Sequence, residues 1–379
     1  MTKQGLNAEL IGVPGGWARL ATPALVVDLD ALEANIAAMA AFAQAKGIAL
    51  RPHAKTHKCV EISKRQIAAG ARGICVAKLG EAEAQADGGI ESILITSPVV
   101  TEGGMARLMA LNARVPALMA VCDNPDVAAR LAEAAKASGK PLKLLIDIDP
   151  GLGRTGIQTG AGAFELVRQV AESDSLIYAG LQCYAGQVQH MESANERRAA
   201  SLAALKDLRE LTERLTDAGL APEIVSGGGT GTFDIDPEAQ VLSELQVGSY
   251  IFMDRQYNDV WTKSGGRPPF ATSLTVQTTV ISANRMGLAT TDAGFKSFAT
   301  DAEAPLIASG APEGAAYFFF GDEQGGILYS GEPKLVPGSV VSCVVPHCDP
   351  TVNLYDHIHA VRGDTLEAIW AVEGRGRSA

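Results

Sequence analysis

Five stretches of this chain carry residue types that could do chemistry. The first is Arg51-Pro52-His53-Ala54-Lys55-Thr56-His57-Lys58, at the end of an apolar run. A lysine held against apolar walls has its ammonium form disfavoured. The free amine is then a nucleophile suited to Schiff-base chemistry. A solvated strand-end charge is the other role open to Lys55 and Lys58. The second, Gly151-Leu152-Gly153-Arg154-Thr155-Gly156, matches G-x-G-x-x-G, with Asp174 about 20 residues further on. Pro150 intervenes, and Asp147 and Asp149 charge the preceding strand end, so a loop presenting Arg154 fits better than a dinucleotide site. The third, Ser226-Gly227-Gly228-Gly229-Thr230-Gly231-Thr232, sets glycine N–H groups between hydroxyls, which suits a phosphate; simple loop flexibility is the plainer reading.

The fourth stretch is Pro346-His347-Cys348-Asp349-Pro350. On an extended backbone His347 and Asp349 point to one side and Cys348 to the other. An N plus O pair suits Mn²⁺, Mg²⁺ or Zn²⁺ and leaves coordination positions open, while a turn histidine is the more common role for this spacing. His357 and His359 share the spacing and compete as a pair, with a partly exposed strand face as their plainer role. The fifth stretch runs from Gln182 to His190. Tyr184 is expected where its strand ends, and His190 is a candidate general base near neutral pH, or a loop histidine in water.

These residues need elements to hold them. Apolar strand-like runs at 48–55, 73–77, 92–97, 117–123, 143–149, 176–184, 222–226 and 245–252 alternate with helical patterns such as 58–69, 126–138 and 193–218. Eight such units predict an α/β fold, a (β/α)₈ TIM barrel, with a doubly wound sheet as the rival. In a barrel the active site lies at the C-terminal strand ends. That is where Lys55, Arg154, Tyr184, the Ser226–Thr232 loop and Gly248-Ser249-Tyr250 fall, and barrel phosphate sites are often built from the last two of these loops. After about residue 265 the texture becomes short and β-branched, at 273–284, 314–320, 326–330, 339–345 and 357–361. Turn signals at Gly321–Gly326 and Val336-Pro337-Gly338 separate these runs, which predicts a C-terminal antiparallel β domain. The expected organisation is 20–260 as the barrel, and 261–379 with the N-terminal segment 1–30 as the β domain. The strand-like 24–28 precedes a helix over 31–46 and could pair in either.

Composition bounds the function. The chain has 379 residues, 20% charged and 47% hydrophobic, which is a globular balance. A net charge of −11 argues against nucleic acid or an anionic membrane as partner. Six scattered cysteines, with no C-x-x-C pair, read as buried free thiols in a reducing compartment. The start Met1-Thr2-Lys3-Gln4-Gly5 has no signal pattern, and no apolar run is long enough for a span, so a cytoplasmic location is expected.

Taken together, RPHAKTHK, GLGRTG, SGGGTGT, GSY and the late HCD resemble the alanine-racemase-type pyridoxal-phosphate enzymes, in the D-threonine aldolase and D-serine dehydratase branch. The resemblance runs from about Thr22 to Gly374. It implies pyridoxal 5'-phosphate linked to Lys55, with Arg154 by its phenolic oxygen and Tyr184 near the pyridine nitrogen. It implies Gly228, Gly229, Thr230, Gly248, Ser249 and Tyr250 at the phosphate, and His347 and Asp349 holding a divalent metal. The dehydratases carry H-x-C there. Asp349 favours a harder ion, Mn²⁺ before Mg²⁺ or Zn²⁺, and shifts the choice to the aldolase. The implied reaction is retro-aldol cleavage of a D-3-hydroxy amino acid such as D-threonine to glycine and an aldehyde, with His190 as base. Dehydration of D-serine or 3-hydroxy-D-aspartate is the alternative, and racemisation a more distant one. A homodimer is also implied. Asp322 and Glu323 resemble a site-lining turn, but Gln324 stands where the family has histidine.

Overall fold

The computed structural model describes residues 6–379; the Met1–Gly5 segment behind the expectation of no leader lies outside them. The chain forms two compact units. One comprises 39–55, 62–248 and 376–379, and the other comprises the chain up to Ala38 with 56–61 and 249–375. The strands are β1 (Ala24–Asp28), β2 (Ala49–Leu50), β3 (Ile74–Val76), β4 (Ser92–Ile95), β5 (Ala117–Cys122), β6 (Leu142–Ile148), β7 (Leu176–Cys183), β8 (Ile224–Gly227) and β9 (Glu244–Leu245). They continue with β10 (Leu274–Arg285), β11 (Leu288–Thr291), β12 (Leu306–Ser309), β13 (Ala316–Phe319), β14 (Gly325–Leu328), β15 (Val340–Val344), β16 (His357–Arg362) and β17 (Thr365–Ala371). The helices are α1 (Leu29–Lys46), α2 (Val60–Ala68), α3 (Leu79–Asp87), α4 (Glu102–Arg114), α5 (Pro125–Ser138), α6 (Ala161–Ala171), α7 (Ala194–Asp217), α8 (Arg255–Thr262) and α9 (Cys348–Val352).

The first unit is the expected barrel. Its eight strands run in the order β2-β9-β8-β7-β6-β5-β4-β3, every pair parallel. The two ends meet. Ala54 N–H donates to Cys75 O at 2.7 Å, and Cys75 N–H to Pro52 O at 2.8 Å. Closure removes the open edges that a doubly wound sheet would keep. Pro52 is tolerated because this pairing uses only its carbonyl. β2 itself is short, but Arg51 and His53 extend its pairing by donating to Leu245 and Val247.

Alternation sets the two barrel faces. Outward side chains such as Ile93, Leu118, Leu144, Ile146 and Leu181 pack on Leu108, Leu131, Leu166 and Leu208 of the surrounding helices. Cys75, Leu94, Met119, Val121, Leu145 and Ala179 form a separate cluster from the alternate positions. Arg51, His53, Ser92, Thr96, Asp147, Gln182, Ser226, Glu244 and Gln246 join in hydrogen bonds with one another. Arg51 and Glu244 form a buried ion pair at 2.8 Å. All six cysteines are buried and unbridged.

The second unit holds a nine-stranded sheet, in the order β13-β14-β11-β10-β1-β16-β17 with β15 on β10 and β12 on β15. β1 joins this sheet, antiparallel to β10 and parallel to β16, so one pairing departs from the expected antiparallel pattern. The runs at 274–285, 316–319, 325–328, 340–344 and 357–362 match the sequence reading; β11, β12 and β17 were not legible in it. Among the described residues no helix is long and apolar enough to cross a membrane.

Candidate active site

Lys55 lies just beyond the bridge that closes the barrel, in a turn rather than in a strand. The turn is pinned from below. The Lys55 amide donates to His53 Nδ1 at 3.4 Å. With Nδ1 accepting, the ring proton sits on Nε2, which lies 3.1 Å from Thr96 Oγ1. Thr96 Oγ1 in turn donates to Val76 O at 3.1 Å. The rival lysine is committed elsewhere, since Lys58 Nζ donates to Asn353 Oδ1 at 3.0 Å.

Arg154 and Tyr184 come together, with the guanidinium carbon 5.4 Å from the ring centroid. Their loops are tied by Gln187 Nε2 to Pro150 O at 3.3 Å. Gly186 leaves room for the ring, since a Cβ there would sit 2.9 Å from Tyr184 Cε1. The G-x-G-x-x-G amides are already occupied. Asp149 Oδ1 accepts from Gly151, Leu152 and Gly153 at 3.0, 2.8 and 3.0 Å. The protein's own carboxylate thus fills the place a phosphate takes in a dinucleotide fold.

The Ser226–Thr232 loop rests on two buried side chains. Gln189 Oε1 accepts from Gly231 N at 2.9 Å, and its Nε2 donates to Thr232 Oγ1 at 3.0 Å and Ala185 O at 3.3 Å. Asp236 accepts from Ser201 Oγ at 2.6 Å and Thr232 Oγ1 at 2.7 Å. Burial pushes Asp236 up to about 6 against these hydrogen bonds and one from the Gly229 amide. Gly228 has φ +73°, which disfavours any side chain. Asp147 is likewise pushed up to about 6 by burial, opposed by hydrogen bonds from Gln182 and Thr155. His190, one residue beyond Gln189, is exposed. Gln189 and Asp236 were missed by the sequence reading. A run of small residues signals crowding but does not name what crowds it.

Ser249 and Tyr250, which follow Gly248, lie in a buried 3-10 turn, with Tyr250 edge-on to Phe270 at 5.5 Å. The His347 segment departs from expectation. Only His347 is extended; Cys348 starts α9, so the same-side rule for i and i+2 fails here. Cys348 is fully buried, its Sγ 3.4 Å from Asp349 Oδ1 and its amide donating to Asp254 Oδ2 at 2.8 Å. Burial also raises the Asp254 carboxyl above its ordinary range, offset by the amides of Tyr257 and Cys348. His347 Nδ1 lies 2.7 Å from Asp301 Oδ2. The competing pair is ruled out. His359 is only 7% exposed rather than on a wet strand face, because β16 lies beside β1. Its two ring nitrogens meet Leu25 O and Asn7 Nδ2, both at 3.0 Å. Glu323 pairs with Lys296, and Asp322 O accepts from Lys296 N at 3.0 Å.

Within the barrel unit, Lys55, Arg154, Tyr184 and the glycine–hydroxyl loop all follow C-terminal ends of parallel strands. That donor set fits pyridoxal phosphate: an amine for its aldehyde, a cation over a phenol ring, and a glycine turn that admits no Cβ beside hydroxyls. His347 and Asp349 bring an imidazole and a carboxylate to one short turn, donor types that a divalent cation takes. Among the described residues no group of three or more His, Cys, Asp or Glu is placed to hold one.

The pattern of the alanine racemase N-terminal domain matches residues 27–256, and that of a putative serine dehydratase domain matches 273–361. The chain belongs to the alanine racemase family. Its similarity to curated members of that family spans nearly its full length. It is 36% identical to 3-hydroxy-D-aspartate aldolase of Paracoccus denitrificans (strain Pd 1222), over 97% of this chain and 96% of that one. It is 38% identical to D-threonine aldolase of an Arthrobacter species, over 95% and 94%. The crystal structure of D-threonine aldolase from Filomicrobium marinum superposes with a TM-score of 0.90 at 37% identity, covering 96% of this chain and 97% of that chain.

Proposed function

We propose that this protein is a lyase that cleaves D-threonine and other D-3-hydroxy amino acids to glycine and an aldehyde, dependent on pyridoxal phosphate and a divalent metal. The observation that carries the proposal is the whole-length similarity, through barrel and β domain alike, to two enzymes named as aldolases. The Asp349 carboxylate supports Mn²⁺ ahead of Mg²⁺ or Zn²⁺. In this reading Lys55 would hold the cofactor through its side-chain amine. Arg154 and Tyr184 orient its ring, while Gly228, Gly229, Thr230, Gly248, Ser249 and Tyr250 hold its phosphate. His347 and Asp349 hold the metal. When bound, the cofactor supplies an electron sink for the pair released from the Cα–Cβ bond, and the metal supplies positive charge for the β-hydroxyl oxygen. His190 takes the β-hydroxyl proton, directly or through water, and Cα gains a proton as glycine leaves. Exposure of His190 suits a group that exchanges its proton with solvent. A homodimer in the cytoplasm belongs to the same reading.

The test is incubation of cofactor-loaded protein with D-threonine, with and without Mn²⁺. Glycine and acetaldehyde in equal amounts, lost on exhaustive chelation, are expected. A 2-oxo acid with ammonia marks dehydration instead and refutes the aldolase reading. Borohydride should trap the cofactor on the wild-type chain and not on Lys55→Ala; a retained adduct at another lysine refutes Lys55.

A further inference from the structure

A solvent-accessible ion pair contributes little by itself, about 0–1 kcal/mol. His347 and Asp301 are 25% and 52% exposed, so their contact would ordinarily pass as incidental. Its surroundings argue otherwise. Asp301 sits in a loop clamped on both sides to the segment that carries His347. Before it, Ala299 N donates to Thr351 Oγ1 at 3.0 Å, and that hydroxyl donates to His347 O at 2.7 Å. Tyr355 OH donates to Ser297 O at 2.9 Å. After it, Arg255 holds Glu303 and Ala304 O, while the Arg255 amide donates to Val345 O at 3.0 Å. Thr351, Ser297 and Ala299 are buried, so the clamps before Asp301 are sheltered from water. Main chain held at 297–299 and 303–304 therefore brings Asp301 to the ring.

We propose that Asp301 is a positioning residue that fixes the tautomer and orientation of His347 for a divalent metal. A carboxylate only accepts, so His347 Nδ1 carries a proton, and in the neutral ring that a metal requires the lone pair is on Nε2. A hydrogen bond of this kind from the second ring nitrogen holds a metal-binding imidazole in one orientation and makes it more basic. The inference rests on His347 as a metal ligand, and Asp301 lies 46 positions away in the chain, where no spacing rule would find it.

The experiment is a Mn²⁺ titration followed by electron paramagnetic resonance, on cofactor-loaded wild type and the variants Asp301→Ala, Asp301→Asn and His347→Ala. Melting temperature is recorded for each. Asp301→Ala should weaken Mn²⁺ binding about 10- to 100-fold with little change in melting. Asp301→Asn keeps an oxygen for the Nδ1 proton and should recover part of the loss. Wild-type affinity in Asp301→Ala, alongside weak binding in His347→Ala, overturns the role of Asp301 and leaves the metal ligand standing. Equal weakening in the alanine and asparagine variants also overturns it. Wild-type affinity in His347→Ala, or no binding by the wild type, overturns both readings.

Discussion

The glycines of the Ser226–Thr232 loop can be told apart by what lies beneath them. A Cβ on Gly231 would stand 2.0 Å from Gln189 O and 2.8 Å from its carbonyl carbon. Ordinary contact requires roughly 1.5 Å of relative movement, and both partners are main chain. Overpacking typically costs about 1–3 kcal/mol, and an unyielding backbone places Gly231→Ala near the upper end, at roughly 3 kcal/mol. A Cβ on Gly229 would stand 2.4 Å from Gln189 Oε1, the tip of a side chain held by three hydrogen bonds. Displacing that tip forfeits bonds worth about 1 kcal/mol each. The two variants should therefore differ in rescue. Gln189→Ala removes the obstacle met by Gly229→Ala, so the double variant should be more stable than the sum of the singles by roughly 1–3 kcal/mol. The same change should leave Gly231→Ala unrescued, because the backbone carbonyl remains. Gly103→Ala, in α4 with nothing within 4 Å of its Cβ, is the control and should be neutral or stabilising. Urea unfolding of all variants at one pH supplies the measurement. Gly231→Ala within about 0.5 kcal/mol of wild type, or equal rescue of both glycine variants by Gln189→Ala, refutes the reasoning.

Three further perturbations test the barrel interior. Asp147 and Asp236 are each pushed up to about 6 by burial, so the folded chain binds their protons more tightly than the unfolded chain does. Their contribution is complete below about pH 4 and is lost as pH rises through 6; each shift corresponds to roughly 3 kcal/mol. Stability of Asp147→Asn should fall less than that of wild type over that range, and parallel curves would contradict the assignment. Arg51→Met strands the Glu244 carboxylate and should destabilise by about 3–5 kcal/mol, whereas Arg51→Met with Glu244→Leu should recover most of it; denaturant midpoints decide. Thr96→Val removes the hydroxyl between His53 and Val76 and should cost about 1–3 kcal/mol and weaken pyridoxal phosphate binding, while Thr96→Ser stays near wild type. Equilibrium dialysis measures the binding, and unchanged affinity in Thr96→Val denies the turn its role in holding Lys55.

Much of the fold was legible because barrel strands obey local rules. Apolar runs such as Leu142–Ile148 and Leu176–Cys183 must be strands to bury their outer face, and the glycine and proline signals between runs mark where chain leaves the sheet. α9 escaped because a single turn has no period. The placement of the candidate residues was legible for the same local reason: Lys55, Arg154, Tyr184 and the glycine loop each fall in a segment that follows a barrel strand.

The amino-acid sequence by itself determined the parallel barrel, the β domain after it, and which loops carry chemically able residues. Those features depend on neighbours within a few positions, through alternation, helical period and turn chemistry. Only the tertiary structure decided that the barrel closes, through His53 and Cys75, and that Asp149 fills its own glycine loop. It alone set the His359 ring against Leu25 O and Asn7, set Gln189 and Asp236 beneath the glycines, and brought Asp301 to His347. These contacts join residues through strand pairing and clamped loops. Their partners are selected by which surfaces meet, and spacing along the chain carries no trace of that.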